Sequence, residues 1–360
     1  MPHSNAPRRT ENVNVVAGPP ETVRGHPTIR DVAAAAGVSI GTVSRVAGGS
    51  TRVAEETRAR VLAAMAEVGY QPNVAARAMR TNKTKTIGFL MPDIANPVFS
   101  KVALGAQSVL GPAGYTLFAL SSNRSPAQEV EYIHAVRQRQ MDGLIVTLAD
   151  ESSTPTLDEL RRMRVPVVLL DRDVDVGADV VFSDHIGSME TIVGHLVALG
   201  HRRIGLVGAS EKIRPGRERV RGFRQALAAA GIAVDDWLIR AGMQSAEHGS
   251  AETHDLLTGA VPPTALIAAG SDIFYGAMRA VRQLRLEIPR DLSFVGADDL
   301  LLSEVIGPRI TVIDRDMVEV GREAGRLLLE RLRGIALPPR RIMLPSRVVL
   351  RDSIAPPGRA

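Results

Sequence analysis

A chain of 360 residues is long enough for two or three domains, and the complete lack of cysteine excludes disulfides and thiolate metal sites. The sequence has no apolar run of membrane-spanning length and no leader peptide, so we expect a cytoplasmic protein that does not contact a membrane. The net charge of +5 is concentrated near the N-terminus, where residues 24–85 hold ten basic and four acidic side chains. This local excess indicates binding to the phosphates of a nucleic acid.

The first 26 residues are polar, rich in Pro, Asn and Gly, and show neither helical nor strand periodicity. We therefore predict a disordered tail over residues 1–26. The first ordered domain is expected to begin at Pro27.

Residues 28–45 have the pattern of two short helices joined by a tight turn. Gly37 interrupts a run of apolar residues at helical spacing, and Ser39 stands where an N-cap is needed for a second helix over residues 40–46. This spacing is typical of a helix-turn-helix, whose second helix enters the major groove of DNA. An ordinary helical hairpin in a globular core is the alternative that the spacing leaves open.

A third amphipathic helix is predicted over residues 55–68. The chain reads T-I-x-D-V-A-x-x-A-G-V-S-x-x-T-V-S-R-V, then E-E-T-R-x-R-V-L, then G-Y-x-P-N-x-x-A-R-x-M-R, and then T-x-T-I-G. Together these motifs resemble the lactose/galactose repressor (LacI/GalR) family of bacterial transcription regulators. The resemblance extends from Pro27 to about Ser353.

From residue 86 onward, short apolar runs alternate with helical segments, which indicates parallel sheets covered on both faces by helices. The number of these units exceeds what one sheet holds, so two sheets are expected. The predicted strands cover residues 86–91, 115–121, 143–148, 167–170, 180–182, 204–208, 265–268 and 292–296.

The resemblance implies an all-α helix-turn-helix domain over residues 27–80, which ends in a hinge helix over residues 73–80. A linker over residues 81–85 then leads to an α/β body over residues 86–353. This body is expected to be of the periplasmic-binding-protein-like type, with two doubly wound parallel-sheet lobes that the chain connects three times. The first lobe is placed at about 86–183 and 314–337, the second at about 184–313 and 338–353, and a tail at 354–360.

The recognition helix contains one strong candidate for base reading. Arg45 either contacts guanine O6 and N7 with its planar guanidinium or clamps a phosphate. The resemblance implies that the two positions after Ser39 discriminate base pairs, and Ile40 in the first of them can press on a thymine methyl group. The predicted DNA-contacting residues of this region are Thr28, Ser39, Ile40, Gly41, Thr42, Ser44 and Arg45.

The hinge helix is the second predicted DNA element. The resemblance implies that two hinge helices, one from each subunit, enter the minor groove at the operator centre and wedge a large apolar side chain between bases. Met79 stands where the family has leucine, and a linker with Met79 in a core is the alternative. The predicted contacts of this helix are Asn73, Ala76, Arg77, Met79 and Arg80.

Two departures from the family pattern should make the DNA-binding domain less stable. Ala47-Gly48 replaces the usual Leu-Asn after the recognition helix, and Ala54 replaces the Ser or Thr that caps the third helix. The missing cap should lower the stability of that helix by about 1 kcal/mol.

Polar residues follow nearly every predicted strand of the body, at the edge where ligands bind in open α/β sheets. The resemblance implies that Arg219, in R-x-x-G-F, contacts effector hydroxyls or carboxylates, and that Asp298 is the sugar-binding aspartate. Phe99 either packs on a sugar face or belongs to the core. The predicted effector-binding residues are Asp93, Asn96, Phe99, Asp150, Arg172, Arg219, Ser271, Asp272 and Asp298.

Two further features of this region bear on the ligand. Arg214, Arg217 and Arg219 together point to an anionic effector such as a sugar acid, although Arg214 and Arg217 also fit a solvated charge run on a loop. His185, which replaces a common asparagine, is interpreted as structural.

The sequence as a whole predicts a homodimeric transcriptional repressor. Its partners would be a palindromic double-stranded DNA operator and a small-molecule effector, which would be a sugar, polyol or sugar acid. An activator or global regulator controlled by a protein partner is the alternative, and a solute-binding transport protein is a weaker one. No motif for catalysis, metal binding or a cofactor is present, so none of these is expected.

Overall fold

The computed structural model describes residues 27–48, 50, 52–71, 83–298 and 301–358. The chain divides into two compact units, residues 1–81 and residues 82–360. The predicted N-terminal tail and the predicted hinge helix over residues 73–80 lie outside the described residues.

The N-terminal unit contains three helices around one small core. Val32, Val43 and Val61, one from each helix, are fully buried and form its centre. Gly37 ends the first helix with a φ of 63°, in the left-handed region that glycine adopts without strain. The helices are α1 (Ile29–Ala36), α2 (Ile40–Ala47) and α3 (Glu55–Val68), so the predicted helix-turn-helix and the third helix are confirmed.

The ends of α2 and α3 agree with the predicted capping residues, and α1 has a cap that was not predicted. Ser39 Oγ accepts a hydrogen bond from the Thr42 amide at 3.2 Å, as expected for the N-cap of α2. The Asp31 carboxylate accepts hydrogen bonds from the Thr28 amide and hydroxyl at 2.7 and 2.8 Å, which closes the first turn of α1. Ala54 provides no side-chain cap for α3, as expected from the sequence.

The second unit contains two six-stranded sheets, each covered by helices. The first sheet has the order β11-β5-β4-β3-β1-β2 and is parallel throughout. Its strands are β1 (Thr86–Met91), β2 (Thr116–Ser121), β3 (Gly143–Val146), β4 (Val167–Leu170), β5 (Asp179–Ser183) and β11 (Arg341–Leu344). Its helices are α4 (Pro97–Leu110), α5 (Pro126–Gln138), α6 (Thr154–Arg161) and α12 (Met317–Leu332).

The second sheet has the order β12-β10-β9-β8-β6-β7, and only its edge strand β12 is antiparallel. Its strands are β6 (Ile204–Ala209), β7 (Ile239–Gly242), β8 (Ala265–Ala269), β9 (Ser293–Ala297), β10 (Thr311–Arg315) and β12 (Ser346–Val349). Its helices are α7 (His185–Ala198), α8 (Arg214–Ala229), α9 (Ala246–Thr258), α10 (Ser271–Gln283) and the short α11 (Leu301–Val305). The predicted fold class of two doubly wound lobes is confirmed, and all eight predicted strands are present.

The lobe boundaries near the C-terminus differ from the prediction. The chain passes between the sheets after β5, after β10 and between β11 and β12. β11 pairs with β5 in the first lobe, so the assignment of residues 338–353 as a whole to the second lobe is wrong for that strand. The second segment of the first lobe begins only after Arg315 and not at residue 314, because β10 (Thr311–Arg315) pairs with β9 in the second sheet.

The C-terminal residues 354–358, which were predicted to be a tail, pack against the second lobe. Ala355 accepts a hydrogen bond from His201 Nε2 at 2.9 Å, and its amide donates to Ser293 Oγ at 3.0 Å. Ile354 packs against the core of the second lobe. These contacts hold the segment on the lobe because they satisfy its backbone groups.

Glycines allow two helices of the first lobe to touch along their backbones. A Cβ atom on Gly105 of α4 would lie 1.9 Å from the Val318 carbonyl oxygen, and one on Gly321 of α12 would lie 2.1 Å from the Val102 carbonyl oxygen. Any side chain at either position would push the helices apart. Across the described ranges, no helix combines the length and apolar character that crossing a membrane requires.

Candidate functional site

The recognition helix α2 presents its predicted DNA-contacting side chains away from the core. Val43 and Val46 are buried, whereas Ile40 is 46% exposed. Arg45, also exposed, lies along its own helix: its Nε donates to the Gly41 carbonyl oxygen at 3.1 Å. The surface that would face DNA therefore combines one apolar side chain with one guanidinium, and the predicted base contacts remain predictions.

The hydroxyl groups of this region are already used within the helix-turn-helix. Ser39 Oγ lies 3.0 Å from Thr42 Oγ1, in addition to its capping bond, and Thr28 is bonded to Asp31. The predicted minor-groove residues lie outside the described residues; they are Asn73, Ala76, Arg77, Met79 and Arg80.

In the second unit, two buried aspartates occupy equivalent places at the ends of strands. Asp171 directly follows β4 of the first lobe, and Asp298 directly follows β9 of the second. Both adopt left-handed backbone conformations, with φ values of 48° and 71°. Non-glycine residues adopt this region at a conformational cost, and strained residues of this kind cluster at functional sites.

Arg315, the last residue of β10, connects these two aspartates across the lobes. Its Nε donates to Asp298 Oδ1 at 2.8 Å, and its Nη1 donates to Asp171 Oδ2 at 3.0 Å. All three side chains are buried. These three side chains therefore form a charged link between the lobes, the Asp298–Arg315–Asp171 link, which is shielded from water.

Electrostatics favour the ionised form of this link. Burial by itself raises the pKa of the Asp171 carboxyl, but His185, Arg315 and the Ser183 amide outweigh it and hold that pKa well below its usual range. The pKa of Asp298 is also lowered, because Arg315 and Arg219 outweigh its burial. Burial lowers the pKa of His185 to about 4, so this imidazole is neutral at neutral pH.

Arg214 reinforces the link from the second lobe, and its contacts contradict one of the two interpretations of the arginine run, the solvated charge run on a loop. Its Nη1 lies 3.3 Å from Asp171 Oδ1 and donates to the Ser183 carbonyl oxygen at 3.1 Å, and its guanidinium stacks on Phe182. Arg217 pairs with Glu151 at 2.9 Å. Both arginines therefore bind the opposite lobe, so they do not form a solvated charge run.

A cavity of about 60 Å³ lies beside this link. It has room for a few water molecules but not for a sugar ring. The predicted residues that line it are Asn96, Phe99, Arg172, Arg219 and Asp298. Phe99 also makes an edge-to-face contact with the buried Phe89, with ring centroids 6.3 Å apart, so it serves both the core and the cavity.

The other predicted effector residues lie around the cavity but do not line it. Ser271 donates to Asp298 Oδ2 at 3.3 Å and so positions that carboxylate. Asp93 and Asp272 both bind Arg124, at 3.1 and 2.6 Å, and the second of these pairs crosses between the lobes. Asp150 accepts hydrogen bonds from Ser152 and closes a local turn.

The predicted effector-binding set omits four polar residues that line the cavity, namely Thr147, Asp171, Gln244 and Arg315. A signal for Arg315 was present, because T-V-I-D-R at the end of β10 repeats the pattern of V-V-L-L-D-R at the end of β4. No comparable pattern marks Gln244, since it lies in the loop after β7, a strand that was not predicted.

Metal binding has no support in the part of the chain that the structure describes. Those residues contain no group of three or more His, Asp or Glu side chains that could hold a metal ion. The polar cavity is instead built from guanidinium, carboxylate and amide groups, which bind polar organic molecules by hydrogen bonds.

A helix-turn-helix unit and a two-lobed α/β unit with a polar cavity between its lobes define the class of ligand-responsive DNA-binding regulators. The family model described as "Bacterial regulatory proteins, lacI family" matches residues 28–73, and the model described as "Periplasmic binding protein-like domain" matches residues 193–354. The HTH-type transcriptional regulator DegA of Bacillus subtilis (strain 168) is 32% identical over 332 residues, which are 91% of this chain and 98% of DegA. The chain belongs to the lacI family of bacterial transcriptional regulators.

Solved structures agree with this assignment. The lac repressor dimer bound to operator and the anti-inducer ONPF is 28% identical, with a TM-score of 0.81, and the match covers 91% of this chain and 99% of that one. The complex of the transcriptional regulator CelR with cellobiose is 30% identical, with a TM-score of 0.70 and the same coverage. These relatives are transcriptional regulators.

Proposed function

We propose that this protein is a homodimeric, cytoplasmic repressor whose affinity for a palindromic operator is controlled by a small molecule bound between the lobes of its body. The observation that carries the proposal is the buried Asp298–Arg315–Asp171 link, which joins the lobes beside a polar cavity. A molecule that hydrogen-bonds to these groups changes how tightly the lobes are held together. Such differential binding to two lobe arrangements is what an allosteric effector requires.

The comparisons support the same mechanism. The lac repressor structure contains a dimer, an operator and an anti-inducer, and the CelR structure contains a sugar. A dimer has two helix-turn-helix units related by a two-fold axis, and a palindromic operator has two half-sites related in the same way, so each unit can bind one half-site.

DNA recognition is tested by selecting bound sequences from a random duplex library and measuring affinity at moderate ionic strength. Arg45→Ala should relax the preference at one base position in each half-site, by about 1–3 kcal/mol of discrimination. If the selected sequence stays the same and affinity falls uniformly, Arg45 contacts a phosphate instead. If the wild-type protein prefers no sequence over random competitor, the proposed function is wrong.

Effector control is tested with Asp298→Ala in the same DNA-binding assay. We expect this variant to bind the selected operator as the wild type does but to lose its response to the effector, because the carboxylate lines the cavity and anchors Arg315. A full response in the variant would remove Asp298 from the effector site. Loss of DNA binding together with a lowered Tm would indicate misfolding.

A further inference from the structure

The buried side chains around the cavity carry more positive than negative charge. Two aspartates, Asp171 and Asp298, face the buried guanidinium groups of four arginines. Arg217 and Glu151, which pair with each other, add one charge of each sign and leave this difference unchanged, although the Glu151 charge also acts on Arg172. The four buried arginines are Arg172, Arg214, Arg219 and Arg315.

Two of these arginines already have carboxylate partners. Arg315 pairs with both aspartates, and Arg214 pairs with Asp171. Both aspartates are thus in contact with these arginines, and they act on Arg172 and Arg219 only from a longer distance. The charge excess therefore falls on the other two arginines.

Arg172 and Arg219 bond only to neutral backbone groups of the described residues. Arg172 donates to the carbonyl oxygens of Leu148, at 2.6 Å, and Asp171, at 2.9 Å. Arg219 donates to the Ala269 carbonyl oxygen at 3.0 Å. Both line the cavity and are at most 6% exposed, so their charges are desolvated without an ion-pair partner at contact distance.

The titration behaviour of the neighbouring groups agrees with this geometry. Burial lowers the pKa of Arg219 to about 10 and also lowers the pKa of Arg172, as expected for guanidinium groups with too little negative charge nearby. The carboxylates that act on Arg172 are Glu151, Asp171 and Glu129. The first two already pair with other arginines, and burial raises the pKa of Glu129 to about 7. Glu129 is thus only partly ionised at neutral pH and neutralises Arg172 incompletely.

Buried charges of one sign are costly unless something of opposite sign compensates them. We infer that the effector is an anionic sugar derivative, a sugar acid or a sugar phosphate, whose charged group is bound by Arg172 and Arg219. This inference rests on the proposed function, since it specifies the ligand of the same cleft. Charge-assisted hydrogen bonds from guanidinium groups to such an anion are stronger than those to a neutral hydroxyl.

To admit such a molecule the cleft has to open, which separates the cross-lobe pairs at its rim as well as the buried contact between Arg315 and Asp171. The cavity as it stands holds only a few waters, so a sugar ring requires the lobes to separate. The cross-lobe pairs at the rim, Arg124–Asp272 and Arg217–Glu151, each include an arginine that is 28% or more exposed. Partly exposed pairs of this kind contribute little to stability, so their separation is not a large barrier.

The first experiment needs no ligand. In the full-length protein without effector, Arg219→Gln should raise Tm by about 2–4 °C, because it removes a buried charge that has no ion-pair partner at contact distance. The matched control is Arg221→Gln on the same helix, whose side chain is 60% exposed and whose replacement should leave Tm unchanged. A fall in Tm for both Arg219→Gln and Arg172→Gln would show that these arginines are structural and would overturn the inference.

The second experiment uses matched ligands with the full-length protein, measured by calorimetry. The probes are glucose and galactose, their acids glucuronate, gluconate and galacturonate, and glucose 6-phosphate. At least one anionic probe should bind about tenfold more tightly than its neutral parent, and Arg219→Gln should abolish this preference. Whether a sugar acid or glucose 6-phosphate binds more tightly shows whether the charged group of the effector is a carboxylate or a phosphate.

The outcomes separate this inference from the proposed function. Equal or tighter binding of the neutral parents, or a preference for the anion that survives in Arg219→Gln and Arg172→Gln, overturns the anionic effector. Operator release by a neutral sugar keeps the proposed function and also overturns the anionic effector. A failure of all anionic probes to bind, with Tm unchanged in both variants, overturns it as well.

Discussion

Replacing Arg315 by methionine is the most direct test of the link between the lobes. Methionine fills a similar volume but cannot donate hydrogen bonds, so Arg315→Met leaves Asp171 and Asp298 as buried carboxylates without their shared partner. Removal of one member of a buried ion pair typically destabilises a protein by 3–5 kcal/mol. Arg214 remains on Asp171, and Arg219 remains near Asp298, so we expect about 3 kcal/mol.

The pH dependence of this loss follows from the lowered pKa values of the two aspartates. A carboxyl whose pKa is lower in the folded than in the unfolded state stabilises the fold above the unfolded-state pKa, and this contribution disappears as the pH falls through the folded-state pKa. Arg315→Met raises the folded-state pKa values of Asp171 and Asp298. The difference in stability between wild type and variant should therefore be largest near pH 7 and shrink as the pH falls below about 4.

Urea unfolding of the full-length protein measures this difference, with Arg309→Met as the matched control. Arg309 forms an exposed ion pair with Asp352 at 2.8 Å, and because water screens this pair its loss should leave the free energy of unfolding nearly unchanged. If Arg315→Met destabilises the protein no more than this control does, the link is not a desolvated ion pair and the reasoning fails.

Three further variants test other parts of the structure. Glu129→Gln should be about 3 kcal/mol more stable than the wild type at pH 8 and equally stable at pH 4. Burial raises the pKa of Glu129 in the folded state to about 7, so the wild type loses stability as the pH rises above the unfolded-state pKa of 4.5. Urea unfolding at several pH values measures the stability difference between the two proteins, and a difference that does not change with pH would contradict this. Gly321→Ala should lower the free energy of unfolding by about 1–3 kcal/mol, because its Cβ would overlap the Val102 carbonyl oxygen. Its control Gly194→Ala, with open space around the new methyl group in α7, should be neutral or stabilising, and similar losses in both would refute the close helix contact. Ser39→Ala should lower the stability of the N-terminal unit by about 1 kcal/mol through the loss of the α2 cap, and an unchanged melting curve for that unit would show that the cap is unimportant.

The parts of the cleft that follow predicted strands could be found from the sequence. Arg172 and Asp298 both follow an apolar run that the structure confirms as a strand, and the carboxyl ends of parallel strands meet at one edge. Arg315 was missed because its strand, β10, was not among the predicted runs, and because its role depends on two aspartates that are 144 and 17 residues away in sequence.

The roles of the charged residues could not be predicted from their positions alone. Arg214, Arg217 and Arg219 are neighbours in the sequence, but successive positions on a helix point in different directions. Arg214 therefore binds Asp171, Arg217 binds Glu151 and Arg219 lines the cavity. Likewise, Asp272 directly follows Ser271, but Asp272 pairs with Arg124 whereas Ser271 supports Asp298.

Local pattern determined the elements of this protein. The helix-turn-helix, the third helix and eight strands follow from capping residues, glycines and apolar periodicity, all of which act between residues close in sequence. Only the tertiary structure decided which charges are paired, because burial and partner distance depend on elements that are far apart in the chain. The placement of β11 in the first lobe and the pairing of Arg315 with both lobes are of this second kind, and so is the surplus of positive charge from which we infer an anionic effector.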